Sequence, residues 1–268
     1  GAASQSRAND FTTSSAYADD SGEFVAAQSN ELCIEMVEQA TNNLIGWFND
    51  VGMTPNTGKS EILPISSEIG PVETTAGVVH PKTSVRFLGV HLQSDLRWND
   101  QCSVVATNLR KIAGKIRAHG RNFTVKNRLI LYRSWAEGTL RSNGSCYLPF
   151  LNRTQLDALQ RAANAAIRAV AGVRRYGLWN VQDFRREWSI CSIEQIKAQF
   201  ELLEAAARRL TRSTHKQNVR VPVRRTAHLQ LMDDVARNAW NGLPDSIRNA
   251  EDERRAKMAI KKFVFEEI

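Results

Sequence analysis

The chain has 268 residues, of which 42% are apolar, and it carries a net charge of +8. These proportions predict a globular protein with one large domain or two modest ones. The sequence shows no charged-then-apolar leader and Arg168 interrupts its most apolar helical run, which argues against a secreted or membrane-spanning protein and favours an intracellular one.

The cysteines and histidines are scattered along the chain. Cys33, Cys102, Cys146 and Cys191 form no CxxC pair, which argues against a disulfide framework and against a zinc site. The five histidines are isolated from one another and from the cysteines, so we expect reduced thiols and no metal cluster built from His and Cys.

The charge is unevenly distributed. Residues 1–75 hold 2 basic and 11 acidic side chains, residues 76–230 hold 27 and 9, and residues 231–268 hold 7 and 8. Solubility alone is the alternative explanation, but a solvated surface usually mixes the two signs more evenly. A basic, arginine-rich middle region attracts polyanions, so we expect a nucleic-acid partner.

A hairpin is predicted near the start of the sequence. The segments "SSAYA" and "GEFVAA" lie on either side of Asp19, Asp20 and Ser21, a pattern typical of two strands joined by a tight turn. No lysine or arginine lies within ten residues of the two aspartates. Carboxylates at a strand tip are accessible to Mg²⁺, whereas the alternative is that aspartate suits the turn through local hydrogen bonds.

A helix and two short strands are predicted next. Ser29 or Asn30 can cap the start of the helix, and Gly52 marks its end. The apolar runs at 61–65 and 85–92 are interpreted as strands joined by a polar loop. The apolar residues at helical spacing are Cys33, Met36, Val37, Ala40, Leu44 and Phe48.

From Asp100 onward the pattern predicts helices. Apolar residues recur every three or four positions, and a capping box, Ser192-x-x-Gln195, begins the last of these segments. The predicted helices are 100–118, 124–138, 153–171 and 192–211.

Basic side chains lie on and beside the exposed faces of the first two of these helices, as a phosphate-binding surface requires. They are Arg110, Lys111, Lys115, Arg117, Lys126, Arg128 and Arg133.

Several of these segments resemble a known family. "AYADD" at 16–20, "GMTPNTGKSEIL" at 52–63 and "VRFLGVHL" at 85–92 resemble, in order and spacing, palm motifs C, D and E of reverse transcriptases from non-LTR retrotransposons. Further segments are similar to the thumb and C-terminal region of jockey- or CR1-like elements; these are "LYRSW" at 131–135, "LDALQRAANAAIRAVAGV" at 156–173 and "AWNGLPDSIRNA" at 239–250.

The resemblance implies catalytic residues. Asp19 would be the principal Mg²⁺ ligand and Asp20 an accessory acid and metal ligand. Lys59 would lie near the incoming triphosphate, where it could neutralise charge or donate a proton to pyrophosphate. The alternative for Lys59 is a solvated loop lysine.

The resemblance also implies a primer grip at Phe87, Leu88 and Gly89, with the glycine allowing close backbone approach. Simple core packing is the alternative for Phe87 and Leu88. The helices 100–118 and 124–138 would form a basic thumb that binds an RNA template and DNA primer duplex through charge and shape.

The fold class predicted is α+β with helices dominating. Residues 1–95 would form an incomplete palm, 96–175 a basic helical thumb, and 176–268 a helical C-terminal region. Such a protein would be nuclear or associated with ribonucleoprotein. It would have no membrane partner, and deoxynucleoside triphosphates would be small-molecule ligands only of the complete enzyme.

The sequence departs from the family pattern in one respect that decides function. The upstream carboxylate of motif A and the nucleotide-selecting helix of motif B are absent, so we expect an RNA-directed DNA polymerase fragment that is inactive alone. Two alternatives stay open: a retained RNA-binding or ribonucleoprotein module, and a decayed element copy.

Overall fold

The computed structural model describes residues 11–17, 20–65, 68–173 and 179–214, together with Pro244, Met258, Ile260 and Phe263. The chain divides into two compact units, Gly1–Gln101 and Cys102–Ile268. The architecture is mixed α+β, with small antiparallel hairpins and mostly helices, which confirms the predicted class at that level. Most of the predicted C-terminal region, including 239–250 apart from Pro244, lies outside the described residues.

The first unit contains antiparallel hairpins and one long helix. Each hairpin forms its own two-stranded sheet. The elements are β1 (Phe11–Tyr17), β2 (Asp20–Ala26), α1 (Asn30–Asp50), β3 (Val72–Thr74), β4 (Gly77–Val79), β5 (Ser84–Phe87) and β6 (Val90–Gln93).

Helix α1 begins and ends where the sequence predicts. The Ser29 hydroxyl accepts a hydrogen bond from the Leu32 amide at 3.2 Å, and Gly52 adopts a left-handed φ of 76° just beyond the helix. The helix contacts β2 and β3. Of its side chains only Ile45 is fully buried, and the apolar positions predicted to face the core are half-buried.

The two runs predicted as single strands are different in the structure. Residues 61–65 form no strand, and Ile62 makes one isolated parallel bridge to Pro81. Pro64 and Pro81 lack the amide hydrogen that a longer ladder would need. The run at 85–92 is a hairpin, because Leu88 and Gly89 both have positive φ, 47° and 84°, and turn β5 back into β6.

The second unit is helical, and α2 begins just before it. The predicted helices at 100–118, 153–171 and 192–211 are confirmed to within a few residues. The elements are α2 (Asn99–His119), α3 (Val125–Leu131), a π-helical turn (Tyr132–Glu137), α4 (Gly138–Arg141), α5 (Gly144–Tyr147), α6 (Arg153–Ala171), α7 (Val181–Trp188) and α8 (Ile193–Thr214).

Helix α6 lies at the centre of the second unit. Asn152 and Gln155 form a reciprocal capping box, with both amide-to-side-chain distances at 3.0 Å. Gly172 ends the helix at a φ of 75°. The stripe predicted to face the core is buried, as the periodicity indicates; its members are Leu156, Leu159, Ala163, Ile167 and Val170.

The segment predicted as one α-helix over 124–138 changes its winding. Thr124 caps the start of α3, and the backbone then widens into the π-helical turn. The wider turn changes which residues face the core. Tyr132 and Ala136 are buried, whereas Trp135, predicted on the apolar face, is 38% exposed.

Candidate nucleic-acid-binding site

The β1–β2 hairpin presents the acidic motif. The register runs from Phe11 opposite Ala26 to Tyr17 opposite Asp20. The hairpin is therefore confirmed, but Asp20 belongs to β2 rather than to the turn. Its side chain is exposed, and no ion pair joins it to a described lysine or arginine. Asp19 lies outside the described residues.

Glu23, a second acid of the hairpin, already accepts hydrogen bonds from within the hairpin. The Ser14 hydroxyl donates to both carboxylate oxygens of Glu23, at 2.9 and 3.0 Å. The two residues are direct cross-strand partners, so the contact helps to fix the register. Of the acids of this hairpin that the structure describes, Asp20 lies nearest the tip.

The β5–β6 hairpin contacts β2 through an aromatic ring. A Cβ atom built on Gly22 would lie 3.3 Å from both Cε2 and Cζ of Phe87, so the ring packs directly over the glycine. Gly22 is two residues beyond Asp20. The packing alternative thus fits Phe87, which is half-buried, but it is wrong for Leu88, which is 40% exposed at the turn.

Lys59 lies on a different part of the first unit. It ends a 3-10 turn, Thr57–Lys59, that contacts β4, and its amide donates to the Asn56 carbonyl at 3.0 Å. The side chain is exposed. This geometry is compatible with a solvated loop lysine and with a lysine that meets a triphosphate, so both interpretations stay open.

The described residues do not complete a Mg²⁺ site. Within them, no group of three or more His, Cys, Asp or Glu side chains is arranged to hold a metal ion. Two adjacent aspartates on one hairpin offer too few ligands for the pair of ions, about 3.5–4 Å apart, that phosphoryl transfer uses. We therefore derive no catalytic step through the metal.

The helical unit has a positive surface. Residues 102–173 hold twelve Lys and Arg side chains and two acids, Glu137 and Asp157. Neither acid offsets this charge at the predicted binding surface, because Asp157 pairs with Arg153 at 3.4 Å and Glu137 is half-buried. Burial raises the pKa of the Glu137 carboxyl, and the nearby Arg141 and Arg133 oppose that rise.

The cations predicted on α2 are all exposed. Arg110, Lys111 and Lys115 have no carboxylate within ion-pair distance in the described part of the chain. Arg117 is exposed too, but its guanidinium donates to the Ala165 carbonyl at 3.4 Å. Three of the four α2 cations therefore face solvent without a protein partner among these residues.

The two cations predicted on α3 differ from each other. Lys126 is exposed, whereas Arg128 is half-buried. The Arg128 stem lies 3.0 Å from a Cβ built on Gly120, and its Nη1 lies 2.8 Å from one built on Gly172. Its buried Nε has no hydrogen-bond partner among the described atoms. This placement favours packing between helix ends over the phosphate contact expected from the sequence.

Sequence reasoning missed two exposed apolar side chains beside Lys126. Ile130 is 62% exposed and Phe123 is 44% exposed. Sequence reasoning normally assigns apolar residues to the core, so it did not single out these two as exposed. A signal was present, since Ile130 follows Lys126 by four positions and residues four apart share a helix face.

An interior polar cluster was also missed. Arg185 is 5% exposed and donates to the Asn164 side-chain oxygen at 2.6 Å. Gln160 donates to the same oxygen at 3.0 Å and accepts from the Ile193 amide at 2.9 Å. Burial lowers the pKa of Arg185. The cluster joins α6, α7 and the start of α8, and periodicity alone gives no sign of it.

No protein-family model matches this chain, and neither the curated proteins nor the solved structures include a significant match to it. In the described part of the chain no helix has both the length and the apolar character needed to cross a membrane. Function is therefore inferred from the sequence motifs and from the geometry of the described residues.

Proposed function

We propose that this chain is the C-terminal part of a non-LTR retrotransposon reverse transcriptase, jockey- or CR1-like, which binds an RNA template and DNA primer. The observation that supports this most is the packing of Phe87 over Gly22. It joins the hairpin of the YADD motif to the hairpin of the FLG motif, two segments that a polymerase palm would need side by side at its catalytic surface.

The chain would not polymerise by itself. Its sequence lacks the motif A carboxylate, so Asp19 and Asp20 would have to hold both Mg²⁺ ions without it. The whole enzyme would carry out RNA-directed DNA synthesis with Mg²⁺ and deoxynucleoside triphosphates. In this chain the same residues provide only part of the ligand set, and binding of the template–primer duplex is the activity that survives.

Primer extension tests this proposal. The purified chain is incubated with an RNA template, an annealed DNA primer, Mg²⁺ and all four deoxynucleoside triphosphates, and a matched reaction contains D19A. We expect no extension above background from either protein, together with salt-dependent binding of the duplex. Robust incorporation that D19A abolishes would refute the predicted inactivity and indicate a complete site.

A second candidate function is a retained RNA-binding or ribonucleoprotein module. The exposed, unpaired cations of α2 favour it because they require nothing from the hairpins. This module would bind RNA with equal affinity in the wild type and in D19A, and the triple reversal R110E/K111E/K115E would weaken binding. A clear preference for an RNA–DNA hybrid over RNA would favour the reverse transcriptase origin of the surface.

A decayed, functionless element copy is the third candidate, and unfolding experiments address it. Selection no longer maintains a packed core in such a copy, so poor solubility or a non-cooperative transition would favour it. A single cooperative transition for the helical unit would count against it.

A further inference from the structure

The C-terminal end of α1 exposes three large apolar side chains. Trp47 is 54% exposed, Val51 48% and Met53 52%. Trp47 and Val51 are four residues apart and so share a helix face. The amide of Met53 donates to the Phe48 carbonyl at 2.8 Å, which keeps Met53 at the same helix end. We call Trp47, Asp50, Val51 and Met53 the α1 patch.

The fold does not explain the exposure of the α1 patch. Single exposed apolar residues are ordinary on a protein surface, but three large ones within seven positions form a patch of the kind that marks an interaction site. Met53 follows the helix-ending Gly52, where an apolar side chain frequently packs back onto the helix, and about half of it nevertheless stays exposed. The α1 patch therefore offers apolar surface to a partner.

The charge around the α1 patch indicates which partner fits. Between residues 8 and 58 the sequence contains eight acids and no Lys, Arg or His. Asp50 lies within the patch, and no ion pair joins it to a described cation. Two copies of the patch would repel each other, because like charges face to face are unfavourable. The partner surface must therefore combine apolar side chains with positive charge.

Helix α3 and the turn before it carry such a surface. Ile130 is 62% exposed, the highest value among the large apolar side chains that the structure describes, and Phe123 is 44% exposed. Lys126 is exposed too, and no ion pair joins it to a described carboxylate. Between residues 102 and 156 the sequence contains one acid, the half-buried Glu137. We call Phe123, Lys126 and Ile130 the α3 patch.

We propose that the protein associates with itself through a contact between the α1 patch of one copy and the α3 patch of another. Asp50 faces Lys126 in this contact, and the apolar side chains of the two patches cover one another. Apolar burial supplies the affinity, and the opposite charges select the pairing of unlike patches. The contact is head-to-tail, so it closes into a ring or continues into an open filament. This inference does not depend on the proposed function.

Sedimentation velocity of the full chain tests the association at concentrations from about 1 μM to 1 mM. Nucleic acid is removed first, because RNA could bridge the basic surfaces of two copies. We expect the mean mass to rise with concentration, as it does for a weak, transient contact. M53S should raise the dissociation constant about fivefold through lost apolar burial. D50K and K126E should each raise it at least about tenfold through like-charge repulsion.

Mixing D50K with K126E tests the pairing itself. Each variant alone brings like charges together at every contact between its own copies. In the mixture, every contact between the two variants again joins opposite charges. The mixture should therefore associate more tightly than either variant alone.

V78S and E187K are the matched controls. Val78 is 54% exposed on β4 and Glu187 is exposed on α7, so each variant repeats the chemical change outside the two patches. A wild type that stays monomeric over the whole range would overturn the inference, as would an E187K variant that associates as weakly as D50K. A mixture no tighter than the single variants would overturn it too. Thermal unfolding of each variant at the wild-type midpoint shows that lost affinity is not lost structure.

Discussion

At the residue scale, Glu137 and Leu88 carry structural costs that have testable consequences. Glu137 is half-buried, and the desolvation of its carboxylate outweighs the attraction of Arg133 and Arg141. Leu88 has a φ of 47°, a conformation that costs an ordinary side chain about 1–2 kcal/mol. Neither cost was visible in the sequence, because burial and backbone conformation depend on the tertiary structure.

The first prediction concerns pH. The pKa of Glu137 is raised above its ordinary value of 4.5 in the folded chain, so folding favours the protonated form. The stability that this group contributes is fully present below pH 4.5 and is lost as pH rises through the folded pKa. E137Q should therefore be more stable than the wild type at neutral pH, with the difference shrinking towards acid, in urea unfolding at several pH values.

E187Q is the control variant for that prediction, because it removes a carboxylate of the same kind from an exposed position of α7. A wild-type free energy of unfolding that rises relative to E137Q between pH 5 and 7 would contradict the assigned sign.

The second prediction concerns the β5–β6 turn. L88N places asparagine before Gly89, the pair that suits a two-residue turn with two positive φ angles. We expect the free energy of unfolding to rise by about 1 kcal/mol in urea titrations. V78N, at an exposed strand position with ordinary backbone geometry, should give no gain, and an equal gain there would contradict the explanation by strain.

At the element scale, helices were easier to predict than strands. The capping box of Ser192 and Gln195 is present as predicted, with distances of 2.8 and 3.1 Å, because caps and apolar periodicity are local signals. The β3–β4 hairpin was missed since its strands have only three residues each. The π-helical turn was missed because no local residue pattern distinguishes it from an α-helix.

The close approach of α5 and α8 gives the third prediction. A Cβ on Gly144 would lie 2.6 Å from Cε2 of Phe200, so G144A should destabilise the chain by about 1–3 kcal/mol. Adding F200L should recover part of the loss. G114A is the control, because nothing lies within 4 Å of a Cβ there and alanine suits the interior of α2. Equal effects of G144A and G114A would rule out the steric cause.

At the scale of the whole molecule, the two units differ in how much they bury. The described part of the first unit contains few fully buried apolar side chains; they are Ile45, Val72, Val79, Val90 and Trp98. The second unit buries nine of the 19 residues of α6 and at least one residue of each other described helix. The α+β class could be predicted from the sequence. The difference in burial between the two units could not, because it depends on which hairpins lack a neighbouring strand.

The fourth prediction follows from that contrast. Amides of α6 should resist hydrogen exchange far longer than amides of β1 and β2, since local opening of a two-stranded hairpin exposes little buried surface. Hydrogen-exchange mass spectrometry of the full chain measures this. Equal protection of the β1–β2 peptides and the α6 peptides would mean that the hairpin is held by contacts outside the described residues.

The location of Arg128 affects how any mutational map of the basic surface must be interpreted. Its guanidinium fills the space beside Gly172 and its stem covers Gly120, so removing it would leave a void where the ends of α2 and α6 meet. If the chain binds RNA as proposed, a charge-reversal scan would record R128E among the most damaging variants for RNA affinity. That loss of affinity would come from weakened packing. A binding surface mapped from it would wrongly include a residue whose role is structural.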